Sequence, residues 1–119
     1  MIANIYPILA ADTDIAAAVA DRIYMTVARQ HAETPFIVWQ PISSVPYNTL
    51  ALGPTDDQQR IQIDVYAGDP TQARALAGAV TRCVAQHGNV LSGAIPSFEN
   101  ETRLHRYSLD VSLFHRRAS

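Results

Sequence analysis

Hydrophobic and polar positions change period abruptly in the middle of the chain. Ile61, Ile63, Val65 and Ala67 alternate with Arg60, Gln62, Asp64 and Tyr66, the pattern of a strand with one buried and one polar face. Gly68 breaks the strand. Asp69 suits a helix N-cap, Pro70 the first turn, and Gln72 the reciprocal capping position. Ala73, Leu76, Ala77, Val80 and Val84 then recur at helical spacing, with Gln72, Arg74, Thr81 and Arg82 elsewhere, which predicts an amphipathic helix lying on the core. Gly88 marks its stop. A second regular alternation follows in LHRYSLDVSLFHRR, where Tyr107, Leu109, Val111 and Leu113 oppose Arg106, Ser108, Asp110 and Ser112.

The remaining segments are less periodic. Ile2, Ile5, Tyr6 and Leu9 have helical spacing, with Pro7 admissible only in a first turn. Asp12 or Asp14 caps a second helical stretch, DIAAAVADRIY, with Ile15, Ala18, Val19, Arg22 and Ile23 on one stripe. PFIVWQPIS, from Pro35, predicts a strand that is at an edge or bulged near Pro41, which has no amide to donate. SSVPYNTLALGPTDDQQ (43–59) reads as a hairpin arm or loop, and NVLSGAIPSFENET (89–102) as an irregular segment with room for a short strand. Strands with one apolar face need helices on that face. The expectation is therefore an α+β fold, an antiparallel sheet of about four strands with two or three helices packed on one face, in a single domain spanning 1–119.

Composition narrows the functional classes. With 119 residues and 48% hydrophobic content, the chain suffices for one core but not two. A charged fraction of 17% is lean, and weakly polar surface favours coverage by a partner. A formal net charge of −2 supplies no basic stripe for nucleic acid, and the arginines at 103, 106, 116 and 117 read as a solvated strand end. The lone cysteine, Cys83, excludes an intramolecular disulfide and reads as a small buried hydrophobe. No stretch has the length of a membrane span, and the first residues lack a secretory leader, so a reducing cytoplasm is the expected setting.

Candidate chemistry is thin. His105 and His115 are roughly 33 Å apart along a straight strand, too far to share an ion, so neither metal nor other cofactor is expected. Asp64 and Asp110 fall on polar strand faces and approach if those strands pair, but Gln62, Tyr66, Ser108 and Ser112 would solvate both. Trp39 and Tyr66 suit core or interface better than ligand stacking. No phosphate loop or nucleophile elbow occurs, and Asn100-Glu101-Thr102 is a chance sequon. No enzyme is expected. The loops Val45–Gln59 and Asn89–Arg103 expose apolar residues the sheet and helices cannot cover, which marks Tyr47, Leu50, Leu52, Val90, Leu91, Ile95 and Phe98 as subunit or partner contacts.

PFIVWQPISS, RIQIDVYAGDPTQARALAGAV and TRLHRYSLDVSLF, in that order and spacing, resemble the tail completion or tail terminator proteins of long-tailed phages, prophages and gene transfer agents. Arg60, Gln62, Asp64, Tyr66 and Ala67, followed by the Ala73, Leu76, Ala77 helix, are the distinctive part. The resemblance implies a virion protein that forms a homo-oligomeric, hexameric ring at the head-proximal end of the tail tube. Such a ring terminates polymerisation, contacts the major tail tube protein and the head–tail connector protein, and passes DNA without binding it specifically. It carries over no catalytic residues. The alternative, from another class, is a small cytoplasmic ligand-binding or enzymatic α+β domain using the Asp64, Tyr66, Asp110 face. A connector elsewhere in the neck is the third.

Overall fold

A computed structural model describes residues 5–28, 30, 32–43 and 56–116. The elements run α1 (Tyr6–Ala10), α2 (Thr13–Val19), β1 (Ile23–Met25), β2 (Phe36–Ser43), β3 (Asp56–Ala67), α3 (Pro70–Ala85), β4 (Gly88–Glu99) and β5 (Leu104–Arg116). Local chemistry explains the helix starts. Pro7 lies in the first turn of α1, where its missing amide removes no helical bond. The Asp12 carboxylate accepts from Ile15 N–H at 3.0 Å to cap α2, and Asp69 accepts from Gln72 N–H at 2.9 Å to cap α3.

The expected sheet of about four antiparallel strands is corrected in both number and sense. Five described strands form one mixed sheet in the order β1-β2-β3-β5-β4, and β1 runs parallel to β2. Two segments account for the difference. The helical stripe read through Tyr24 stops at Val19, because Ala20 turns out of the helix with φ 54 and ψ −115. Arg22 then leaves the stripe: its guanidinium donates to Ala18 O at 3.2 Å and Pro35 O at 3.0 Å, tying the end of α2 to the start of β2. Ile23–Met25 are thereby laid beside Ile37–Trp39.

The second segment, read as irregular, is β4. It pairs with β5 from Gly88↔Leu113 to Glu99↔Leu104, interrupted by register shifts between Val90 and Ser92 and between Ser92 and Ile95. Each shift inserts a residue and resets which side chains face the core, so no continuous alternation survives in the sequence. β2 shows the bulge expected near Pro41, between Pro41 and Ser43, and Pro41 lies past the end of the short β1, on a side where no described strand requires its amide.

All three helices pack on one face. Ile61, Ile63, Val65 and Ala67 of β3 are fully buried there, joined by Ile37 and Trp39, by Leu109, Val111 and Leu113, by Ile5, Leu9, Ile15 and Val19, and by Leu76, Val80 and Val84 of α3. Burying each branched side chain contributes about 1.5–3 kcal/mol, so this face holds the fold together. Cys83 belongs to the same core, with its thiol donating to Ile8 O at 3.4 Å.

Candidate functional site

The register determines what the opposite face of the sheet presents. Residues between the core positions line up across the strands as Phe36–Tyr66–Arg106–Ser97, then Val38–Asp64–Ser108–Ile95, then Gln40–Gln62–Asp110–Ser92. The central row is polar and internally satisfied. Asp64, 8% exposed, accepts from Ser108 Oγ at 2.6 Å and from Gln62 Nε2 at 3.2 Å. Asp110 sits beside Gln62 rather than beside Asp64, and Arg60 approaches it at 3.3 Å. The two carboxylates therefore stand on a diagonal, each held by its own donor, as a hydrophilic sheet face requires and an acid–base pair does not.

Next to this polar stripe is an aromatic one. Phe36 stacks on Tyr66 with ring centroids 4.8 Å apart, and Tyr24 meets Phe36 edge-on at 6.1 Å. Burial raises the Tyr66 hydroxyl above its ordinary pKa of 10.0, against the lowering effect of its hydrogen bond with Arg106. Arg106 also donates to Ser97 Oγ at 3.1 Å and lies 3.5 Å from Glu99, so its charge is answered on β4. Trp39, by contrast, is in the core at 4% exposure and unavailable for ligand stacking.

Of the expected contact residues, Val90, Leu91, Ile95 and Phe98 all fall on β4, the outermost strand on its side of the sheet. Val90 turns inward opposite Val111 and is half-buried against the core. Leu91, Ile95 and Phe98 are 50%, 59% and 43% exposed. Phe98 is partly shielded by His105, with ring centroids 4.9 Å apart, and by the Arg103 guanidinium 5.8 Å from its ring centre. Tyr47, Leu50 and Leu52 lie outside the described residues, as does most of the Val45–Gln59 segment.

The sequence did not point to three further exposed apolar side chains, Met25 at 49% and Val27 at 75% around the end of β1, and Ile42 at 44% in β2. Extending the helical stripe to Tyr24 hid the first two: the end of β1 was not visible as a strand end. Beside Val27 is an open groove of about 290 Å³ over Phe36, Val38 and Tyr66. Another, of about 260 Å³, lies between α2 and α3, lined by Ala18, Ala75, Leu76 and Ala79 with Asp14 and Arg82 at its rim. Among the described residues, no three His, Cys, Asp or Glu side chains converge as a metal cluster would, and no helix is long and apolar enough to cross a membrane.

The open face of the sheet thus carries paired charges, and apolar side chains are exposed at its margins. Residues 3–116 match the family model described as tail completion protein gp17, nearly the whole chain, and the protein belongs to that family. No curated protein matches the chain. Membership gives it a structural role as a component of a phage tail, in contact with other phage tail or head proteins.

Proposed function

We propose that the protein forms a ring at the head-proximal end of a phage-like tail tube, where it ends tube polymerisation and joins the tail to the head connector. The observation that carries this reading is β4: an outermost strand with Leu91, Ile95 and Phe98 exposed, in a chain belonging to a tail completion family. Apolar side chains grouped on an outer strand favour coverage by another protein surface. Its two register shifts and Pro96 disfavour an unbroken backbone ladder with a neighbour, which restrains open-ended strand addition. Contact through side chains, repeated from copy to copy, closes into a ring when the rotation allows.

In this reading the chain acts as one domain, in a hexamer, with the major tail tube protein on one side of the ring and the head–tail connector protein on the other. Leu91, Ile95 and Phe98 make contacts, and Tyr47, Leu50 and Leu52 add to them. The ring assembles in the bacterial host cytoplasm, for a phage, a prophage or a gene transfer agent, and DNA passes through without specific binding. That last point is supported by the pairing of Arg60 with Asp110 and of Arg106 with Glu99, which leaves these guanidiniums already engaged. The hydrogen bonds of this face speak against the ligand-binding or enzymatic alternative, because Asp64 already accepts from Ser108 and Asp110 from Arg60.

Light scattering on the purified protein over a wide concentration range, with and without isolated tail tubes, tests the ring. The expected result is a closed species of about six copies, in solution or on tube ends. Single copies under every condition, tubes included, would refute it.

A further inference from the structure

The groove beside Val27 combines backbone strain, a rigid apolar floor and balanced charge. After β1 the chain makes a three-residue turn in which Val27 N–H donates to Met25 O at 2.7 Å and Thr26 holds φ 68. Positive φ is unfavourable for a β-branched residue, and such strain persists only where the surroundings enforce it. They do so here through Thr26 N–H, which donates to Trp39 O at 2.7 Å. The turn presents Val27 over the groove, whose floor of Phe36, Val38 and Tyr66 is stiffened by the ring stack. Glu99 at the rim faces Arg106 at 3.5 Å, so the groove suits an uncharged, aliphatic occupant.

The chain itself contains such an occupant. Gly88–Phe98, GNVLSGAIPSF, has no charged residue and exposes Leu91 and Ile95. Ile95 shares a cross-strand row with Val38 but stands three strand spacings away, about 14 Å, too far to fill the groove of its own molecule. We infer that the groove under Val27 receives the Leu91–Ile95 stretch of β4 from a neighbouring copy of the chain. The inference rests on the ring reading, and it names the two unlike surfaces that meet at each joint. Unlike surfaces on one molecule are what a head-to-tail contact requires.

Two full-length variants, Val27→Asp and Ile95→Asp, test it, with Val27→Ser and Ile95→Ser as milder forms and circular dichroism to confirm folding. Both positions are exposed, so the fold is expected to survive. Placing a carboxylate in the joint should weaken self-association by about tenfold or more, leaving each variant as single copies where the wild type assembles. An equimolar mixture of the two aspartate variants should form heterodimers, because the intact Ile95 of one fits the intact groove of the other. The double variant Val27→Cys with Ile95→Cys should give disulfide-linked multimers on oxidation. If the wild type assembles while the variants assemble equally well, or if the mixture stays as single copies, the groove assignment fails alone. If the wild type never assembles, even on tail tubes, the ring reading fails and takes this inference with it.

Discussion

Cys83 and Tyr66 lie on opposite faces of the sheet and titrate in the same direction for the same reason. Burial, reinforced by the Asp12 carboxylate, raises the Cys83 thiol above its ordinary pKa of 9.0. Burial likewise raises Tyr66 above 10.0, with the Asp64 and Glu99 charges adding to the shift. Both groups bind their protons more tightly in the folded chain, so their contribution is fully present below the unfolded values. It begins to fall once pH passes the ordinary values of 9.0 for Cys83 and 10.0 for Tyr66, and is lost as pH rises through the higher values these groups have in the folded chain. Urea midpoints should therefore fall between about pH 8 and about pH 11, and Cys83→Ala with Tyr66→Phe should flatten that fall. An unchanged slope in the double variant would contradict the assignment. At this scale the sequence was informative where chemistry is local. The Asp69 cap depends on three neighbouring residues, and Cys83 sits inside a readable helical stripe. The partners of Asp64 and Asp110 were not legible, because they depend on which residue of β5 faces which residue of β3.

Among the elements, β3, α3 and β5 were legible because each keeps one period from end to end. β1 was hidden at the end of an alanine-rich run whose spacing continues past the point where the helix stops, and only the long-range bonds of Arg22 show where the chain departs. β4 was hidden by its own bulges. Gly88 illustrates how a correct signal is assigned the wrong cause. It follows the helix, as a stop signal should, but no described glycine has positive φ, and α3 ends with Gln86 in ordinary helical geometry. The need for glycine is close approach. A Cβ at Gly88 would collide with the Ser112 carbonyl oxygen and lie 2.6 Å from Leu113 Cδ2. Gly88→Ala should therefore push β4 from β5 and destabilise the fold by about 1–3 kcal/mol. At Gly93 an added Cβ meets nothing within 4 Å, so Gly93→Ala should be close to neutral. Thermal denaturation of the two variants gives the comparison, and equal melting temperatures would contradict it.

For the whole molecule, the sheet encloses its hydrophobic side with three helices and leaves the other side to paired charges and an aromatic groove, with the apolar strand β4 at its margin. The general architecture, α and β with helices on one face, followed from periodicity. The parallel strand and the groove did not, since both arise from the path of the chain between β1 and β2. That the Asn89–Arg103 segment exposes apolar side chains, Leu91, Ile95 and Phe98 among them, was legible because the expected sheet and helices had no face left to cover them, whereas the inward turn of Val90 was not. Their acceptor could not be found that way: Val27, Phe36, Val38 and Tyr66 come from three separate stretches. If the protein caps a tail tube, electron microscopy of tail lengths in a strain lacking this gene should show tubes of abnormal, widely varying length without attached heads, restored by the wild-type chain supplied in trans. Tails of normal, uniform length joined to heads would contradict it.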